Sequence, residues 1–197
     1  MPADTAIRIT SDCSKALDLS AIFDSPGRPL EIDIGCGKGR FLMARARGNP
    51  GTNHLGVDRL IKRLRLLDRK IQEEKLANVR LLHLDASYVV DYMLPPASVS
   101  VFYVFFPDPW PKRRHHRHRL FNPTFLNAVH RALRPGGCIN AATDHADYFI
   151  WITRLLRADS RFVEVPPFLP TEEERTDFEL AFMSQNASIG RCAFQKR

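Results

Sequence analysis

The sequence predicts an α/β protein, a mostly parallel sheet with helices wound on both faces. Two observations carry this. Short apolar runs alternate with longer amphipathic ones, the order of strand–helix–strand units rather than of hairpins. A glycine-rich loop and single acids stand where apolar runs give way to helical ones, the edge at which open α/β sheets bind ligands.

The elements follow in order. Leu30–Ile34 reads as the first strand and Arg40–Arg47 as a helix. His54–Val57 is the second strand. Over Leu60–Leu76 the residues Leu60, Leu64, Leu67 and Ile71 recur at helical spacing between Lys and Arg, which makes an amphipathic helix. Val79–Leu84 is the third strand, Tyr88–Met93 a short helix and Val99–Phe106 the fourth strand. The aromatic and β-branched content of that fourth strand suits burial on both faces. Phe121–Leu133 reads as a helix, stopped by the turn Pro135-Gly136-Gly137. Ile139–Ala142 is the fifth strand and Ala146–Arg157 a helix, with Arg161–Val165 and Ile189–Phe194 as two late strands. Residues 30–197 thus read as one domain of seven strands, and residues 1–29 as a short, weakly patterned and partly mobile N-terminal segment. Pro166-Pro167-Phe168-Leu169-Pro170 is a stiff connector leading into the charged Thr171–Arg175.

Composition narrows the function classes. With 29 Lys and Arg against 22 Asp and Glu, the formal net charge is +7, which favours a polyanionic partner. Cys13, Cys36, Cys138 and Cys192 form no C-x-x-C pair and no zinc spacing, so they read as free thiols of a reducing compartment, with no metal expected. The longest apolar run, Val101–Phe106, is far too short to cross a bilayer, and no basic-then-apolar leader is seen, so a cytoplasmic protein is expected.

The glycine loop EIDIGCGKGRF places Gly35, Gly37 and Gly39 between the first strand and its helix. A dinucleotide fingerprint needs glycine where Arg40 stands. The spacing G-x-G-x-G, with Asp33 two residues ahead, instead resembles the first motif of class I methyltransferases that use S-adenosylmethionine. Asp58 ends the second strand, where a carboxylate can accept ribose hydroxyls. Asp85 follows the third, where one can face an adenine amino group. Each acid alone reads equally as a loop residue or a helix N-cap.

The fourth strand ends in Phe106-Pro107-Asp108-Pro109-Trp110. Methyl transfer from a sulfonium is an in-line displacement, so the enzyme must hold acceptor and methyl collinear. Two prolines stiffen the turn and aim Asp108 at the reaction centre, while Trp110 either stacks on a flat base or packs on the turn. Lys112–Arg119 follows with five of the 29 Lys and Arg and three of the seven His. Arg113, Arg114, Arg117 and Arg119 are candidate RNA-phosphate contacts, and binding through them is salt-dependent. Asp144-His145 reads as a substrate contact or a helix N-cap. Thr176-Asp177-Phe178-Glu179 fits a capping box, with Phe178 in the core.

FPDPWPKRRHHRHRL, the GCGKG loop, ATD at Ala142–Asp144 and TDFE at Thr176–Glu179 together resemble the tRNA (guanine-N7)-methyltransferase family over about residues 30–197. The resemblance implies a Rossmann-like class I methyltransferase fold with a mostly parallel seven-stranded sheet. It implies methyl transfer from S-adenosylmethionine to N7 of a guanine in the variable loop of tRNA. By position it puts Asp33, Gly35, Gly37, Gly39, Asp58, Asp85 and Asp108 at the cofactor, with Asp108 also catalytic. It puts Lys112, Asp144, Thr176, Asp177, Phe178 and Glu179 at the substrate. Some positions depart from the pattern. Asp33 and Asp58 stand where many members carry glutamate, Asp177 where lysine is frequent and His118 where arginine is frequent. Arg8 is the one Lys or Arg ahead of Lys15, where relatives carry an arginine-rich arm. N7 carries a lone pair and no proton, so the absence of a Cys-His or Ser-His pair agrees with the chemistry. A methyltransferase for another acceptor, or an RNA-binding relative without activity, remains as an alternative. Oligomeric state, monomer or homodimer, stays open.

Overall fold

The computed structural model describes residues 5–8 and 15–197. Eight strands form one sheet in the order β1-β4-β3-β2-β5-β6-β8-β7. They are β1 (Ile7–Arg8), β2 (Leu30–Ile34), β3 (Asn53–Asp58), β4 (Val79–His83), β5 (Val99–Phe105), β6 (Leu133–Thr143), β7 (Phe162–Val165) and β8 (Gly190–Lys196). β1 to β6 run parallel, and β8 lies antiparallel between β6 and β7. Seven strands match those expected, with β1 added at the edge as a two-residue strand beside β4.

The helices are α1 (Leu19–Ile22), α2 (Arg40–Gly48), α3 (Ile61–Glu73), α4 (Ala86–Tyr88), α5 (Pro123–Ala132), α6 (Ala146–Arg157) and α7 (Asp177–Ser184). Alternation within the central strands divides the core in two. In β2, Leu30, Ile32 and Ile34 join Phe102 and Val104 of β5 against α5 and α6. On the opposite face, Leu42 and Met43 of α2 and Leu64, Leu67 and Ile71 of α3 pack over Val79 and Leu81. Here Glu31 of β2 is satisfied rather than excluded: Arg45 of α2 ion-pairs with Glu31 at 3.0 Å and with Glu174 at 3.1 Å. That second pair ties the 166–175 connector to the sheet.

The N-terminal segment is anchored where it is described. Asp68 of α3 accepts from the Ala6 N–H at 2.6 Å, and Leu17, Ile22 and Phe23 are buried. Residues 1–4 and 9–14, and Cys13 with them, lie outside the described residues. Two local expectations are refined. Tyr88–Met93 is a π-helical turn over Val89–Met93, whose Val90 and Asp91 carbonyls accept from Arg131. Pro135-Gly136-Gly137 does end α5, but it lies within β6 as a bulge, because pairing slips from Leu133↔Val99 to Cys138↔Val101. Among the described residues no helix is long and apolar enough to cross a membrane.

Candidate active site

The pocket lies at the C-terminal ends of β2, β3, β4 and β5, with a volume of about 520 Å³, within the range of small-molecule sites. Its wall includes Ile34 and Gly35, where the glycine loop begins. The Gly35 and Cys36 N–H groups both donate to Val57 O, at 2.8 and 3.1 Å, which folds the loop onto β3. Gly39 has φ +76°, and a Cβ there would meet Leu67 Cδ1 at 2.2 Å, so glycine lets α2 start hard against α3.

Asp58 is buried and accepts twice, from the Gly37 N–H at 3.0 Å and the Leu60 N–H at 2.7 Å. It therefore fixes the glycine loop while facing the pocket. Asp85 also lines the pocket and caps α4, accepting from the Tyr88 N–H at 3.2 Å. The N-cap and site readings of this residue are thus compatible. Asp33 lies deeper, in β2, and does not reach the pocket wall, nor do Gly37 and Gly39. Burial, and then the neighbouring Asp58 carboxylate, push the Asp33 carboxyl up to about 7.

The turn after β5 is strained on both sides of the acid. Phe106 has φ +53° and Trp110 φ +44°, a region in which bulky residues are rare. Three contacts hold it. The Phe106 N–H donates to Ala142 O at 2.7 Å. Arg119 Nε donates to Pro109 O at 2.9 Å. The Trp110 ring packs against His118 and His115, with centroids 5.1 and 5.8 Å apart, so the indole packs on the turn. The result presents Asp108 at the pocket mouth, its side chain 73% exposed and 4.0 Å from Arg59 Nη2.

Lys112 precedes a 3-10 helix over Arg113–His118. Lys112, Arg113, Arg114 and Arg117 are exposed, and among the described residues none has a carboxylate partner. His118 lines the pocket. Arg119 corrects the expectation of a phosphate contact: its side chain is 3% exposed, because it turns inward under the turn, ion-pairs with Asp147 at 2.6 Å and lies 4.8 Å over the Tyr148 ring. Two residues past the exposed Arg117, the same residue type serves as an internal clamp.

The third wall comes from α7. Thr176 caps it, accepting from the Glu179 N–H at 3.0 Å, half of the expected capping box. The other half is diverted. Glu179 is 4% exposed, ion-pairs with Arg191 of β8 and lies 4.0 Å from Arg175, so it is an internal anchor rather than a wall residue. Phe178 is not core. It is 54% exposed, lines the pocket and stacks on Phe182 with a centroid distance of 6.3 Å. Asp177 is exposed on the first turn. Asp144 is half-buried just past β6 and does not line the pocket, while His145 is the N-cap of α6 through Nδ1. Arg40 reaches across to donate to the carbonyls of Glu172 and Arg175, at 3.1 and 2.9 Å, linking the glycine loop to the segment that delivers α7. Sequence reasoning missed Arg59 and Arg63 in the pocket wall; their signal was two cations close behind a strand-end acid.

A family model described as "Putative methyltransferase" matches residues 27–191. The tRNA (guanine-N(7)-)-methyltransferase of Nitrosococcus oceani is 34% identical over 181 residues, covering 91% of this chain and 76% of that protein. That of Halorhodospira halophila is 36% identical over 170 residues, covering 83% and 72%. The chain belongs to the tRNA (guanine-N(7)-)-methyltransferase family. Among solved structures, the 16S rRNA methyltransferase KamB superposes with a TM-score of 0.64 at 18% identity, covering 92% of this chain and 93% of that one. An rRNA methylase from Streptococcus thermophilus gives 0.57 at 13%, covering 90% and 91%. At such identities these two carry the fold alone. For a tRNA (guanine-N(7)-)-methyltransferase, the pocket position agrees with the general rule for open α/β sheets.

Proposed function

We propose that this protein methylates N7 of a guanine in the variable loop of tRNA, with S-adenosylmethionine as donor. The observation that carries the reading is the convergence of the glycine loop, Asp58, Asp85 and Asp108 on one pocket whose mouth is rimmed by the exposed Lys112–Arg117 cluster. The donor set fits an adenosyl cofactor. Asp58 and Asp85 offer acceptors for hydroxyl and amino groups, and Gly35 leaves the loop backbone bare at the wall. Bound there, S-adenosylmethionine supplies an electrophilic methyl group.

The rest falls to the chain. N7 attacks through a free lone pair, so no residue has to remove a proton. The strained turn fixes Asp108 at the mouth, and Phe178 offers an aromatic wall beside it. Methylation leaves the purine cationic, and a carboxylate held in advance at the mouth stabilises that developing charge. Asp144, at the end of the neighbouring strand, supplements this field. Lys112, Arg113, Arg114 and Arg117 take phosphates of a tRNA substrate, and a tRNA substrate agrees with a cytoplasmic enzyme. Incubation with unmodified tRNA and labelled cofactor, followed by nucleoside analysis, tests the reading. 7-Methylguanosine is the expected product; a different methylated nucleoside, or none, overturns it.

A further inference from the structure

The solvent face of α3 is a second cationic surface. Leu64, Leu67 and Ile71 face the core and Asp68 holds the N-terminal strand, so Lys62, Arg63, Arg65, Arg69 and Lys70 are left on the exposed side. Among the described residues, none of these five has a carboxylate within ion-pair distance. A solvated helix face ordinarily mixes signs. Up to Gln72 this one carries no exposed acid, Glu73 entering only at the last residue of the helix, and its cations sit where they oppose helix stability. The first turn carries no acid and no side-chain cap, yet Lys62 and Arg63 stand there against the positive end of the helix dipole. Arg65 and Arg69 form a like-charge pair at i,i+4. A polyanion laid along the face relieves all of these at once.

Position identifies which polyanion. The N-terminal end of α3 opens into the pocket, where Arg59, Leu60 and Arg63 form wall on the β3 side, while Trp110 and His118 form wall on the β5 side. Arg59 and Asp108 approach to 4.0 Å across the mouth. Two unneutralised basic surfaces therefore reach the same mouth from strands that flank β2. We infer that the exposed face of α3 binds the phosphate backbone of the tRNA whose guanine enters the pocket, as a second arm independent of the Lys112–Arg117 turn. The inference rests on the tRNA reading above.

The test is a combined Lys62→Gln, Arg65→Gln, Arg69→Gln variant of the full chain, compared with Arg134→Gln, Arg154→Gln as a charge control on other elements. Unmodified tRNA binding is measured between 50 and 200 mM salt, with S-adenosylmethionine binding measured by calorimetry. Expected are a tRNA affinity at least tenfold lower, a log–log salt slope shallower by about two to three, unchanged cofactor affinity and an unchanged or higher melting temperature. A Lys62→Arg, Arg65→Lys, Arg69→Lys variant, which keeps the charges, retains near wild-type affinity. Wild-type affinity and slope in the glutamine variant, or an equal loss in the charge control, overturns the proposal. If wild-type protein fails to bind tRNA at all, the tRNA reading falls instead.

Discussion

Replacing Arg119 with methionine removes the support beneath the Phe106–Trp110 turn while keeping much of the side-chain volume. The guanidinium bonds Pro109 O at 2.9 Å and Asp147 at 2.6 Å from a site 3% exposed. A hydrogen bond from a charged donor contributes about 1.5–3 kcal/mol. Against it stand two left-handed residues, Phe106 and Trp110, each costing about 1–3 kcal/mol. The remaining supports, the Phe106 N–H bond to Ala142 and the ring contacts of Trp110, survive the substitution. Asp147 is exposed and is simply rehydrated. Losing about 2 kcal/mol disfavours the strained turn by a factor of roughly 30. Methyl transfer to tRNA, measured as kcat/KM at saturating cofactor, is expected to fall by about that factor. Urea denaturation should report a stability loss of about 2 kcal/mol. Calorimetric S-adenosylmethionine affinity should stay put, since Asp58, Asp85 and the glycine loop make no bond to Arg119. Transfer within twofold of wild type, despite the stability loss, would refute the clamp. So would a parallel collapse of cofactor affinity.

Three further outcomes follow from the geometry. Asp33, with its carboxyl raised to about 7 by burial and by Asp58, binds a proton in the folded state that the unfolded chain releases near pH 4. Its contribution therefore favours folding below about pH 4 and is lost as pH rises to 7. Asp33→Asn should flatten that part of the urea-midpoint profile and stabilise the protein at pH 8 by a few kcal/mol; an unchanged profile removes Asp33 from the account. Gly39→Ala should destabilise by more than about 1 kcal/mol and weaken cofactor binding, and a Leu67→Ala partner should relieve the 2.2 Å clash without relieving the φ of +76°. Full rescue in the double variant, by thermal melting, would show that the backbone is not the constraint. Asp108→Asn should cut single-turnover methyl transfer at saturating cofactor by about tenfold or more; an unchanged rate takes Asp108 out of the mechanism.

Much of the architecture was legible because its signals are local. Short apolar runs mark β2 and β5, helical spacing marks α3, and the three glycines of the loop all adopt positive φ, a conformation that glycine permits. Strand-end acids could be placed at one edge of the sheet because strand polarity in a parallel sheet brings those ends together. Sequence could not say which acids would form the wall. Asp58 and Asp85 do, while Asp33 stands behind the loop, and that depth is set by the packing of β2 between β3 and β5. Nor did the run Lys112–Arg119 reveal that its last arginine turns inward; the cause is Asp147 and Tyr148, about 28 residues further on. Glu179 met Arg191 rather than its own helix start, and Phe178 was left outside, because β8 returns beside β6. Short-range periodicity and conformational demand belong to the sequence itself. Which polar side chain is buried, and against what, depends on partners distant along the chain, and only the folded arrangement decides it.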